Sequence, residues 1–121
     1  MSEMDWTKAE EVREYVDVED ALKRIRGNTK IFKALLTSFQ KNDYMTPILN
    51  GLEAGDLDAA AKSVHTLKGV SANLSFMKLN ALMLSMEEDL KNGIHCDDKA
   101  QELKLVMEKT MDYINQLMEC I

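Results

Sequence analysis

The sequence predicts an all-α fold, an antiparallel four-helix bundle with one or two short helices at its N-terminal end. Apolar residues recur at helical spacing along nearly the whole chain, and no stretch alternates apolar and polar residues as a half-buried strand does. One Pro and five Gly leave little room for loops. A length of 121 residues suits one hydrophobic core, so we expect residues 1–121 to form a single domain.

Charge and hydropathy argue against several classes of protein. The net charge of −6 disfavours nucleic-acid binding, which needs clustered Lys and Arg. No run approaches the ~20 apolar residues that span a bilayer, and the charged N-terminus has no apolar stretch like that of a signal peptide. We therefore expect a cytoplasmic monomer that binds neither nucleic acid nor membrane. Without an export signal or CxxC spacing, Cys96 and Cys120 are expected to be reduced thiols.

Capping residues mark the ends of the first helices. A short helix is predicted from Thr7 to Tyr15, and a second after Asp17, a good N-cap, ending before Gly27. Gly55 and Asp56 mark the next boundary in the same way, with a glycine that closes one helix and an aspartate that caps the following one.

The third predicted helix is long, from about Thr29 to Ala54. Pro47 lies inside it, so we expect either a kink or a break with a new first turn near Thr46. Two adjacent rows of mainly apolar residues run along this segment. The first row is Ile31, Leu35, Ser38, Met45, Leu49 and Leu52, and the second is Phe32, Leu36, Phe39 and Ile48.

The remaining helices complete the bundle. The fourth is predicted from Leu57 to about Leu74 and the fifth from about Phe76 to Asn92, while Asp98 and Gln101 resemble a capping box at the start of the last. Long helices with short connections favour antiparallel neighbours. The predicted buried residues are Leu57, Ala60, Val64, Leu67, Ser71 and Leu74; then Phe76, Leu79, Leu82, Met83, Met86 and Leu90; and finally Leu103, Met107, Thr110, Ile114, Leu117 and Ile121.

One face of the fourth helix carries the residues of chemical interest. His65 is one residue, roughly 100° of rotation, from Val64, so its ring should reach solvent at the edge of the core. A lone histidine is ordinarily structural, a lone lysine a solvated charge and a lone helical glycine a packing site. A helical glycine costs ~1 kcal/mol relative to alanine, so one beside a histidine favours a functional reason, namely access to the ring. The helical neighbours of His65 are Ala61, Lys68, Gly69 and Ala72.

The segment His65-Thr66-Leu67-Lys68-Gly69 resembles the signature of the histidine phosphotransfer (HPt) family, a His followed by Lys three and Gly four residues later. The resemblance extends from about Val16 to Met118. One departure is Ser75, where many members have Gly at the turn after the active helix. The similarity also includes three further segments: Asp17-Val18-Glu19-Asp20-Ala21-Leu22, Phe32 to Phe39, and Glu53-Ala54-Gly55-Asp56.

The resemblance implies a phosphocarrier rather than an autonomous enzyme. His65 would accept a phosphoryl group from a response-regulator receiver domain or a histidine kinase and pass it to a receiver aspartate. The receiver would bring the Mg²⁺, and this chain no cofactor or metal of its own. Neutral imidazole is a nucleophile near physiological pH. Lys68 is expected to favour that neutral form and to attract phosphoryl oxygens.

A fourth site residue follows from the geometry of a helical hairpin. If the fourth and fifth helices turn near Ser75 or Phe76, the residue opposite His65 is Met86 or Glu87. Met86 belongs to the core, so Glu87 is the polar candidate to orient the imidazole, and members of the family often carry Gln or Glu there. The alternative is a surface Glu87 paired with Lys91, worth a few tenths of a kcal/mol.

Other readings of the chain are weaker but open. His65, His95 and the two cysteines lack a recognised zinc spacing, and the methionines Met77, Met83 and Met86 are expected to be core rather than a copper site. The alternative function is a helical adaptor that binds a partner without chemistry. A third is a ligand-binding bundle, which would retain a cofactor or metal on purification.

Overall fold

The computed structural model describes residues 5–121, and over that range it is all-helical with no strand, as predicted. A 3₁₀ turn at Asp5–Lys8 precedes seven α-helices. These are α1 (Glu10–Tyr15), α2 (Val18–Arg24), α3 (Thr29–Lys41), α4 (Met45–Glu53), α5 (Leu57–Asn73), α6 (Met77–Lys91) and α7 (Asp97–Cys120).

Four long helical units close into a bundle. α4 packs on α5, α5 on α6, α6 on α7, and α7 on α3, so that α3 and α4 together form one of the four units. α1 lies against α6 and α7, and α2 contacts α3. In the described part of the chain, no helix combines the length and apolar composition needed to cross a membrane.

The long third helix is broken, as one of the two predictions for Pro47 required. α3 ends at Lys41, and Pro47 lies in the first turn of α4, where its missing N–H breaks no helical hydrogen bond. Asp43 caps the new helix by accepting hydrogen bonds from the backbone N–H groups of Met45 (3.2 Å) and Thr46 (3.0 Å). The first predicted helix is interrupted too, because Ala9 has extended backbone.

The predicted aspartate caps are right at two helices and wrong at a third. Asp17 and Asp56 each accept a hydrogen bond at 3.1 Å from the backbone N–H three residues on. The proposed box at Asp98 does not form, because α7 already begins at Asp97. The N-cap is Cys96, whose left-handed backbone (φ 48°) starts the helix without a side-chain cap.

The core is filled largely by the predicted residues of α5 and α6, but α3 presents its second row. Ile31 and Leu35 of the first row are 45% and 40% exposed, whereas Leu52, at the other end of that row in α4, is buried. In α3 the second row faces inward, and Phe39 in this row packs edge-on against Phe76, with ring centroids 4.9 Å apart. In α7, Val106 is buried where Met107 was expected to be. The buried residues of α3 are Phe32, Leu36 and Phe39.

A tight turn joins α5 to α6 and makes them an antiparallel hairpin. Ser75 in this turn is buried and has a left-handed φ of 57°, the region that favours glycine. Its hydroxyl donates to Asp20 Oδ2 at 2.6 Å, and its carbonyl accepts from the Asp17 N–H at 3.0 Å. The serine therefore keeps the conformation that a glycine would adopt and ties the turn to α2.

Candidate functional site

His65 lies on α5 at the boundary between core and solvent. The preceding Val64 is fully buried, whereas the His65 side chain is 70% exposed. The difference follows from the helical rotation between consecutive residues. The imidazole therefore stands at the rim of the core with part of the ring open to solvent, as the sequence predicts.

Glu87 on α6 is hydrogen-bonded to this imidazole. His65 Nδ1 and Glu87 Oε2 are 2.8 Å apart, so the contact predicted from the hairpin register is present. The Glu87 side chain is only 13% exposed. Because an ionised carboxylate accepts but cannot donate, a neutral imidazole must donate from Nδ1–H and keep its lone pair on Nε2.

Lys68 is bonded to the same carboxylate. Its Nζ donates to Glu87 Oε1 at 2.8 Å, and its side chain is 25% exposed. Sequence reasoning expected the ammonium to act directly on the imidazole, whereas here Glu87 bridges the two residues. The hydrogen bond from Lys68, followed by that from His65, lowers the pKa of Glu87 below the ordinary 4.5. The carboxylate is thus ionised and neutralised by Lys68 at physiological pH.

Gly69 leaves the surface next to His65 open. A Cβ added at this position would meet nothing within 4 Å, and the residue is exposed. A packing role against a neighbouring helix is therefore ruled out for Gly69. The clearing inferred from the sequence is present on the same side of α5 as the imidazole.

Two polar residues beneath the site were not identified as site residues from the sequence. Asn80 Nδ2 on α6 donates to the Lys68 carbonyl at 2.9 Å and lies 3.3 Å from Ser71 Oγ. The Ser71 hydroxyl donates to the same carbonyl at 3.0 Å and is fully buried. A partial signal was available, because the two predicted registers of the hairpin place Asn80 opposite Ser71 or the adjacent Ala72.

The weaker candidates do not form a second site. Cys96 is buried, and burial raises the pKa of its thiol, which disfavours the reactive thiolate. Met83 and Met86 are core residues, as expected, while Met77 is half exposed. Over residues 5–121, no three His, Cys, Asp or Glu side chains form a group that could hold a metal ion.

A comparison with protein families agrees with this geometry. A family model described as "Hpt domain" matches residues 16–117, nearly the range over which the sequence shows its resemblance. The match includes His65, Lys68, Gly69 and Glu87. No curated protein and no solved structure matches the chain.

Proposed function

The chain belongs to the Hpt domain family, and we propose that His65 is the residue that carries its phosphoryl group in a phosphorelay. Hpt domains are phosphocarriers rather than catalysts. The proposed donor is a response-regulator receiver domain or a histidine kinase, and the proposed acceptor is a receiver aspartate. The observation that carries the proposal is an exposed imidazole whose Nδ1 lies 2.8 Å from a largely buried carboxylate.

The proposed nucleophile is Nε2 of His65. Nδ1 is engaged with Glu87, so Nε2 is the ring nitrogen left with a lone pair when the imidazole is neutral. A fixed tautomer also removes the need to move a proton before attack. Glu87 thus has the role of an orienting base that holds the ring without touching the phosphoryl group.

On the carrier side, the proposed transfer step needs only His65 and Glu87. The Nε2 lone pair forms the N–P bond while the P–O bond to the receiver aspartate breaks, and that carboxylate leaves with the bonding electrons. Nδ1 keeps its proton, so the ring gains a positive charge as it is phosphorylated. The Glu87 carboxylate is already in place, and a preformed opposite charge stabilises the charge that develops.

Lys68 has an electrostatic role in this scheme. Without it, the Glu87 carboxylate would repel the incoming anionic phosphoryl group. The ion pair at 2.8 Å cancels that repulsion and leaves the hydrogen bond to His65 intact. The receiver domain is proposed to bring the Mg²⁺ that neutralises the phosphoryl oxygens, and the carrier to need no cofactor of its own.

Access completes the proposal. Gly69 is one turn from His65, and the space above it is empty. In-line transfer needs the phosphorus within roughly 3–3.5 Å of the attacking nitrogen, which requires the backbone of the receiver to come close to α5. The proposed carrier is a cytoplasmic monomer, and its net charge of −6 supports a partner other than nucleic acid.

Incubation with a receiver domain phosphorylated on its aspartate tests the proposal. We expect the chain to acquire phosphate that is labile in acid and stable in base, as a phosphohistidine is. His65→Gln should take up none and keep a folded circular-dichroism spectrum, since the ring is at the surface. His95→Gln is the matched control, because His95 is the only other histidine and is exposed in a loop.

The outcomes separate the candidate functions. Loss of labelling in His65→Gln with normal labelling in His95→Gln supports the proposal. Labelling retained in His65→Gln would remove His65 as the acceptor. If the parent chain binds receivers of its source organism but accepts phosphate from none, the adaptor function is favoured instead.

A further inference from the structure

We propose that Asn80 is a positioning residue for the phosphoacceptor site. Its side-chain amide fixes the register of α6 along α5, and this register holds Glu87 opposite His65. The meaning of this inference for phosphotransfer rests on the proposed function. Its geometric content, that Asn80 determines the His65–Glu87 contact, does not.

Lys68 is the residue on which two contacts from α6 converge. Asn80 Nδ2 donates to its main-chain carbonyl at 2.9 Å, and Glu87 accepts from its ammonium at 2.8 Å. Asn80 and Glu87 are seven residues apart, about two turns, and therefore lie on the same side of α6. A polar seam thus runs along the hairpin, with the Asn80 amide nearer the turn and the His65 ring at its outer end.

The apolar contacts of the hairpin cannot fix this register alone. The buried side chains between α5 and α6 include the flexible residues Met83 and Met86, and hydrophobic contact is non-directional. A slip of α6 by one residue along its axis is about 1.5 Å. Such a slip would lengthen and misalign the 2.8 Å bond between Glu87 and His65 and so weaken it, although the apolar side chains could repack.

The amide of Asn80 restricts the slip because hydrogen bonds are directional. Its partner, the Lys68 carbonyl, belongs to the rigid backbone of α5, and the Ser71 hydroxyl supports the same carbonyl from within that helix. Both acceptors of the Asn80 amide, the Lys68 carbonyl and Ser71 Oγ, belong to α5, so a shift of α6 away from them would leave a part-buried N–H donor without its partners. As α6 slides along α5, the hydrogen-bond energy of Asn80 is therefore expected to change steeply, whereas the apolar contact energy changes gradually.

The test is the tautomer of the His65 ring, read from its side-chain ¹⁵N chemical shifts in alkaline buffer. The parent should show protonated Nδ1 and unprotonated Nε2. Asn80→Leu, which keeps the size but loses the donor, should give a mixture of both tautomers and slow phosphotransfer by about tenfold, less than the hundredfold loss that a 1 Å misplacement can cause. Ser71→Ala should give a smaller shift of the same sign.

Gln40→Leu is the matched control. The Gln40 side chain makes the corresponding bond between helices elsewhere, donating to Asn115 Oδ1 of α7 at 2.8 Å. This variant should leave the His65 tautomer and the transfer rate unchanged. A second comparison uses the double variant Glu87→Ala, Asn80→Leu. Its His65 spectrum should match that of the single variant Glu87→Ala, because Asn80 acts through Glu87.

The proposal is overturned if Asn80→Leu lowers the melting temperature but leaves the tautomer at the parental ratio. It is equally overturned if Asn80→Leu changes the His65 spectrum as much without Glu87 as with it. Failure of the proposed function gives a different result, since a chain that accepts no phosphate would still show the predicted tautomer changes.

Discussion

Two glycines lie inside helices of the bundle, and their surroundings are opposite. Gly51 in α4 is buried against α5, and a Cβ added there would lie 2.9 Å from the backbone nitrogen of Ala60. Gly69 in α5 is exposed, and an added Cβ would meet nothing within 4 Å. Each glycine costs its helix about 1 kcal/mol relative to alanine.

The difference separates packing from function. At Gly51 close approach of two helices offsets the cost, because only glycine lets α4 pack so tightly against Ala60. At Gly69 no contact within the chain offsets it. His65 lies one turn before Gly69 on the exposed side of α5, so we assign the cost at Gly69 to access by a partner protein.

Gly51→Ala has the largest expected effect on stability. The new methyl group would collide with backbone atoms that cannot rotate away, so α4 and α5 must separate, and overpacking of this kind costs typically 1–3 kcal/mol. Urea denaturation should show that loss, while phosphotransfer by the folded fraction stays near the parental rate. A variant as stable as the parent would remove the packing explanation for Gly51.

Gly69 should respond in the opposite way. Gly69→Ala is expected to raise the free energy of unfolding by up to about 1 kcal/mol, because alanine loses less backbone entropy on folding and meets no neighbour. Transfer should decrease as the side chain grows from Gly to Ala to Leu, since it holds the receiver away from His65. Normal transfer by Gly69→Leu would contradict the access argument.

The Glu87 pair should show a smaller, pH-dependent effect. Since the folded-state pKa of Glu87 is lowered below 4.5, the stability it contributes is present above that value and is lost as the pH falls through the folded-state pKa. The free energy of unfolding of the parent should exceed that of Glu87→Gln by less than about 1 kcal/mol near neutral pH, because Lys68 is partly and His65 largely open to solvent, and the difference should shrink in acid. A difference that grows on acidification would reverse the assigned sign.

Ser75→Gly has the smallest expected effect. Glycine would relieve the left-handed backbone of Ser75, worth about 1–2 kcal/mol, but would lose the hydrogen bond to Asp20, which is worth a similar amount. The two terms oppose each other, so the melting temperature should change little. A large stabilisation would mean that the serine is retained at a cost to the fold, as Gly69 is proposed to be.

Periodicity and capping chemistry predict most of this fold, and their failures have physical causes. The two rows of α3 are both apolar, so sequence alone could not show that the second row faces inward, with Phe39 against Phe76. The helix α7 starts at Cys96, whose backbone adopts the left-handed conformation, and no pattern in the sequence predicts this conformation for a cysteine.

The site was predictable to the extent that it depends on helical register. A tight turn near Ser75 narrows the pairing of α5 and α6 to two neighbouring registers, which place Met86 or Glu87 opposite His65, and of these only Glu87 is polar. The sequence could not show whether the Lys68 ammonium would contact the His65 imidazole or the Glu87 carboxylate, because this depends on side-chain geometry across two helices. The hairpin register places Asn80 near Ser71, but its shorter hydrogen bond goes to a main-chain carbonyl, which has no signature in the sequence.

The most direct test of the account is the position of the phosphoryl group on the phosphorylated chain. Heteronuclear NMR of the ring, with ¹⁵N-labelled histidine, distinguishes phosphorus on Nε2 from phosphorus on Nδ1. We expect phosphorus on Nε2 of His65 with Nδ1 still protonated, because Nδ1 is hydrogen-bonded to Glu87 at 2.8 Å. Phosphorus on Nδ1, or on any residue other than His65, would contradict it.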